Sequence, residues 1–151
     1  MALDYANTSI TIEQQSYEAG SWFSGYSNRQ FDIGLLSEGV ARRRLDEFRK
    51  LRPNWDGEGA ESLSALTLRN AQNIALQLSR HTHFPDITPN AGDTITFEWE
   101  SDLGSALMEI GHETYSFLMK TKVGKRSTDT GFLDRDADIA ALGSLIQRTL
   151  F

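Results

Sequence analysis

Thr94-Ile95-Thr96-Phe97-Glu98-Trp99-Glu100 alternates apolar and polar residues without a break. Side chains two apart share one face of a strand. Ile95, Phe97 and Trp99 therefore fall on one side, and Thr94, Thr96, Glu98 and Glu100 on the other. This is the pattern of a half-buried strand with an aromatic inner face. Downstream, Ser105–Ile110 turns Ala106, Met108 and Ile110 one way, and Thr114–Thr121 does the same with Tyr115, Phe117 and Met119. The links Ser101–Gly104 and Gly111–Glu113 are short enough to make antiparallel hairpins.

Upstream of the strands the period changes from two to about 3.6. Ala65, Leu68, Ala71, Ala75 and Leu78, with Ile74 beside them, form an apolar stripe at helical spacing, and Ser62 or Ser64 supplies the cap. This predicts a helix running to about Arg80. An earlier helix is predicted from a Ser37 cap to about Leu51, with Val40, Ala41, Leu45 and Phe48 on its apolar side and Pro53 as its stop. Residues 81–89, with Pro85 and Pro89, read as a loop, and 122–131 as a basic polar loop. A last helix is predicted from about Arg135 to Leu150, capped by Asp134 and striped by Ile139, Leu142, Ile146 and Leu150. Residues 1–34 read as an irregular arm with a short strand at Ser9–Glu13 and an aromatic cluster of Trp22, Phe23, Tyr26 and Phe31. The expected organisation is one α+β domain with its core over 35–121, in two layers: an antiparallel sheet of three or more strands packed against helices.

The outward positions of the strands carry Leu107 and Leu118 among Glu109, Ser116 and Lys120. Antiparallel pairing would bring the two leucines together, as tolerated apolar surface, under the last helix or the aromatic arm, or as a dimer or partner interface. Coverage by the terminal segments is expected, because the last helix must bury its stripe somewhere.

A chain of 151 residues with 39% hydrophobic and 24% charged residues suits one ordinary core. There is no cysteine, which removes disulfides and thiolate metal sites. The first residues show neither a basic segment nor an apolar run, and no 18-residue apolar stretch occurs, so a cytoplasmic protein without membrane association is expected. The net charge of −6 is uneven. Residues 54–119 hold ten acids and two bases, whereas 42–52 hold six bases and two acids. The acidic block opposes phosphate binding there, and direct nucleic-acid binding is not expected.

The chemical patterns point away from known catalytic and metal sites, and no cofactor is expected. His81, His83 and His112 lack the spacing of a zinc site and the His-Glu-x-x-His pattern. His112-Glu113-Thr114 is a single His-x-Thr element where two-histidine phosphodiesterases need two. Asp134-Arg135-Asp136-Ala137-Asp138 starts like a calcium loop, but Ile139 and Leu145 occupy the positions that need glycine and a bidentate glutamate. Phosphate-binding loops, dinucleotide fingerprints and the nucleophile elbow are absent.

Asn54-Trp55-Asp56-Gly57-Glu58-Gly59-Ala60, then a capped helix, then Pro89 and Ile95-Thr96-Phe97-Glu98-Trp99, resembles a loose group of small bacterial and mobile-element proteins. That group is built around an Asn-Trp-Asp-Gly-x-Gly-Ala turn and a later Glu-Trp strand. The likeness covers about residues 45–120. Position 58 is more often aromatic in the group, and 1–35 and 125–151 look like additions. The resemblance implies a fold and a genomic setting and carries over no catalytic residue. From the residues themselves, Asn54, Asp56, Gly57 and Gly59 shape the turn. Trp55 is expected as a wedge between helices and sheet, whose truncation would cost about 3–5 kcal/mol.

The expected function is a non-enzymatic protein-binding module from a bacterium, phage or mobile element, an inhibitor or antitoxin-like partner of another protein. Asp93, Glu98, Glu100, Asp102 and Glu109 are expected to converge on one sheet face and steer a basic partner onto it. The alternatives are a small hydrolase with an unrecognised site and a nucleic-acid accessory protein using Arg42, Arg43, Arg49 and Lys50.

Overall fold

A computed structural model describes residues 37–151. The expected strand at Ser9–Glu13 and the aromatic cluster Trp22, Phe23, Tyr26 and Phe31 lie outside the described residues. Three helices and five strands follow one another: α1 (37–48), α2 (Ala65–Leu78), β1 (Asp86–Asn90), β2 (Thr94–Ser101), β3 (Gly104–Ile110), β4 (Thr114–Thr121), β5 (Arg126–Phe132) and α3 (Asp136–Leu150). The strands form one antiparallel meander in the order β1-β2-β3-β4-β5. The fold is α+β.

The alternation read from the sequence sets the layering. Ile95, Phe97, Trp99, Ala106, Met108, Ile110, Tyr115, Phe117 and Met119 are all buried on one sheet face. Ile87 of β1 joins them, because it stands directly opposite Phe97. The helices share this single core: Ala41, Leu45 and Phe48 from α1, Leu68, Ala71, Ile74, Ala75 and Leu78 from α2, and Ile139, Leu142, Ile146 and Leu150 from α3. Arg44 of α1 donates through Nε to the Ile87 carbonyl of β1 at 3.4 Å. Helix α2 lies over β2 and β3, and α3 lies over β3 and β4 beside α2.

Several expectations are corrected here. Residues 81–89 are not wholly loop: Asp86–Asn90 is β1, an edge strand, which is where a sheet tolerates a proline such as Pro89. Nor is 122–131 a loop, since Arg126–Phe132 is β5. Its inward positions are Ser127, Asp129 and Gly131, opposite Met119, Phe117 and Tyr115. Tyr115 closes over the strand and donates its hydroxyl to Asp129 Oδ2 at 3.0 Å. A Cβ on Gly131 would lie 2.7 Å from the Tyr115 oxygen, so only glycine admits the ring there. Burial, then the hydrogen bond to Asp129, pushes the Tyr115 phenol up to about 12.

Helix α1 already includes Ser37, and Val40 is 43% exposed rather than part of the apolar side. Ser64, not Ser62, caps α2, accepting from Thr67 N–H. Asp134 does not cap α3; Arg135 is the N-cap and supplies no side-chain bond. The last helix buries its stripe on the same sheet face as α2. It therefore leaves the outer face, with Leu107 and Leu118, to be covered by something else or by nothing.

Candidate interaction surface

All three helices sit on the inner face, so among the described residues no element covers the outer one. Its side chains fall in rows set by the pairing. One row runs Asp86, Glu98, Leu107, Leu118, Thr128 from β1 to β5. A second runs Thr88, Thr96, Glu109, Ser116, Thr130, and a third runs Glu100, Ser105, Lys120, Arg126 from β2 to β5. Leu107 and Leu118 are direct cross-strand partners at the middle of the sheet, and Leu107 is 36% exposed.

Glu98, Glu100 and Glu109 share this outer face, as their parity requires. Two residues outside the sequence reading join the pattern. Asp86 faces Glu98 across the β1–β2 pair, and Arg126 faces Lys120 across the β4–β5 pair. Neither edge strand alternates apolar and polar residues as the central strands do, and only a strand assignment gives a side chain a face. Thr94 donates its hydroxyl to Glu109 Oε1 at 2.6 Å, which fixes that carboxylate. Asp102 lies exposed in the β2–β3 turn, at the Glu100 end of the sheet.

Asp93 does not belong to this group. Its backbone adopts φ of 55° in the β1–β2 turn, which breaks the alternation and turns the carboxylate toward α2. Asp93 Oδ1 accepts the Ser64 N–H at 2.7 Å, Asp93 Oδ2 lies 2.6 Å from His112 Nε2, and the Asp93 carbonyl accepts the Thr67 hydroxyl at 3.1 Å. Asn70 completes the junction by donating to the carbonyls of Gly111 and His112.

Serine, histidine and aspartate thus meet, but not as a nucleophilic triad. Such a triad orients the imidazole through one nitrogen and activates serine through the other. Here Ser64 Oγ at 3.2 Å and Asp93 Oδ2 at 2.6 Å both address His112 Nε2. Ser64 Oγ is also spent on the Thr67 N–H as the helix cap. The cluster ties the start of α2 to two sheet turns.

The other histidines are similarly engaged. His83 stacks on Phe151 at 4.0 Å and places Nδ1 2.9 Å from Gln147 Oε1, while its carbonyl accepts Trp99 Nε1–H at 2.7 Å. The His81 Cβ lies against Gly143 of α3. Among the described residues no three His, Asp or Glu side chains are grouped to hold a metal, and no helix is long and apolar enough to cross a membrane.

A cleft of about 850 Å³ opens between α2, the β3–β4 turn and the β5–α3 link. Gln77 and Asp136, which line it, are bonded to each other at 2.9 Å, and it holds no paired nucleophile and base.

The Asn54–Ala60 turn closes on itself. Asn54 N–H donates to the Ala60 carbonyl at 2.7 Å, and Asn54 Oδ1 accepts the Gly59 N–H at 2.8 Å. Asp56 Oδ1 accepts the N–H groups of Glu58 and Ala60, and these bonds, that from Ala60 foremost, hold its carboxyl below the usual range. Gly57 and Gly59 take φ of 80° and 96°. The expected shaping roles of Asn54, Asp56, Gly57 and Gly59 thus have a direct physical basis.

Trp55 is a correction. It is half-buried, lies outside the hydrophobic core, and donates its indole N–H to the Glu61 carbonyl at 3.0 Å. The turn packs the ring along its own exit rather than between helices and sheet. Trp55→Ala is accordingly expected to cost about 1 kcal/mol, one hydrogen bond and part of an aromatic surface, well under a core aromatic. Urea unfolding checks this, and a loss above about 3 kcal/mol would return the ring to a core role.

The basic stretch of α1 carries its own counter-charges. Arg44 pairs with Glu47 at 3.6 Å and Arg49 with Asp46 at 3.8 Å, all four largely in solvent.

Comparison with protein-family models, with curated proteins and with solved structures finds no match.

Proposed function

We propose that this chain is a non-enzymatic protein-interaction module, an inhibitor or antitoxin-like partner of a protein with a basic surface, and that it docks through the outer face of its sheet. The observation that carries this reading is the Asp86–Glu98 pair. Two carboxylates directly opposite on neighbouring strands weaken a sheet slightly, so folding gains nothing from the arrangement. Glu100 extends the acidic strip along β2, and the Leu107–Leu118 pair supplies an apolar centre beside it. An apolar patch flanked on its β2 side by acidic residues is what a partner can desolvate at the middle and be steered toward at that edge. A bacterial or mobile-element setting follows from the resemblance of the Asn54–Ala60 turn.

The test is kinetic. A protein captured from the native host, once purified, should associate about tenfold or more slowly with Glu98→Lys/Glu100→Lys at low salt, and the gap should narrow at high salt. Equal association rates for the two chains would leave the acidic strip as a solubility feature.

A further inference from the structure

The outer face is acidic on one side only. Asp86, Glu98, Glu100 and Glu109 stand on β1, β2 and β3, whereas Lys120 and Arg126 stand on β4 and β5. The apolar Leu107–Leu118 pair lies on the boundary between the two halves. Among the described residues, none of these six charges takes part in an ion pair. Spacing explains why. Neighbouring strands are about 4.8 Å apart, so Glu100 is about 10 Å from Lys120 and about 14 Å from Arg126 along the same row. Within one chain the opposite charges share a face without meeting.

We propose that the occupant of this face is a second copy of the chain, packed sheet to sheet about a two-fold axis running along the strands between β3 and β4. A two-fold interface must be self-complementary, each contact occurring twice. That axis exchanges β3 with β4 and β2 with β5. Leu107 then meets Leu118 of the other copy, and Glu100 meets its Arg126, because each pair occupies a single row. Glu98 meets Thr128 of the other copy instead of a second carboxylate. The twist of each sheet sets the strands of the two copies about 30° apart, as in aligned sandwiches. The four strands that overlap about this axis, β2 to β5, with seven or eight residues each, give a face of roughly 500 Å². Two copies would bury roughly 1,000 Å², near the lower limit for specific association, which makes the dimer a weak, exchanging one. The inference rests on the same face being a docking surface, and it implies that self-association competes with any basic partner there.

The experiment is sedimentation of the full chain over a micromolar concentration series, at low and high salt. A monomer–dimer equilibrium that weakens with salt is expected. Leu118→Glu should weaken it tenfold or more. Glu100→Arg alone and Arg126→Glu alone should each weaken it about tenfold, since each places like charges together at two symmetric contacts. The double variant Glu100→Arg/Arg126→Glu recreates both ion pairs with their signs reversed and should recover most of the native affinity. Circular dichroism and melting temperature establish that each variant is folded. A monomer at every concentration, whether the face is open or closed by residues 1–36 of the same chain, overturns the proposal. A dimer unaffected by Leu118→Glu, or one not rescued by the double variant, also overturns it by placing the interface elsewhere. A monomeric chain that still shows charge-dependent capture of a host protein would leave the functional reading standing, whereas a rescued dimer without such capture would sink that reading alone.

Discussion

Replacing Gly104 by alanine is expected to destabilise the fold by about 2–4 kcal/mol, the range of substitutions that force backbone out of place. Gly104 opens β3 and pairs with Ser101 on one side and Thr121 on the other. A Cβ at this position would run into the Lys120 carbonyl oxygen and lie 2.8 Å from the Thr121 Cα. Both are backbone atoms of the neighbouring strand, so no side-chain rotation relieves the clash. Its φ of 154° adds a conformation that other residues rarely take. The strand end must therefore move away from β4, at the site where β2, β3 and β4 come together. Gly92→Ala is the matched control, because nothing lies within 4 Å of its added Cβ. It should change stability by no more than about 0.5 kcal/mol. Urea unfolding of both variants checks the pair. Equal midpoints for Gly104→Ala and Gly92→Ala would show that the end of β3 relaxes freely and carries no constraint.

How much of this architecture the sequence disclosed depended on what covered each element. Strands β2, β3 and β4 have helices on one face and solvent on the other, and so their residues alternate. Edge strand β1 has one buried aliphatic side chain, Ile87, and a proline, and gives no such signal. Strand β5 lies beyond the helices, so its inward positions hold Ser127, Asp129 and Gly131, and Tyr115 of the neighbouring strand closes over it. Missing the edges hid Asp86 and Arg126, and with them the division of the outer face into an acidic and a basic half. The position of α3 was also beyond the stripe that predicted it. A stripe shows that a helix buries one side, not which face of the sheet receives it. For Asp93 the alternation rule was extended into a turn where φ is positive and the rule no longer holds.

Asp93 carries the second large effect. Its carboxylate is 14% exposed and is shared by Ser64 N–H and His112. Asp93→Ala leaves the Ser64 N–H without its partner and removes the carboxylate's bond to His112, one of several links between the start of α2 and the β3–β4 turn. Bonds to a charged group contribute about 1.5–3 kcal/mol, and that loss is expected at neutral pH. The effect should depend on pH with a definite sign. Burial by itself would raise the Asp93 carboxyl, but hydrogen bonds from Ser64, His112 and Thr67 outweigh it and hold the group below its ordinary 3.8. A carboxyl held low in the folded chain binds fewer protons there than in the unfolded chain. Its contribution is fully present above the unfolded value and is lost as pH falls through the folded one. The stability gap between native chain and Asp93→Ala should therefore be constant near neutrality and shrink below about pH 4. Asp56 is held low as well, and the native chain alone would show its titration mixed with that of Asp93. The difference between native and variant removes the Asp56 contribution, because its turn is unchanged in both. Urea unfolding of both proteins at neutral pH and at about pH 3 provides the measurement. A gap that stays the same at both pH values would mean that the charge on Asp93 contributes nothing and that the junction is held by shape and neutral hydrogen bonds.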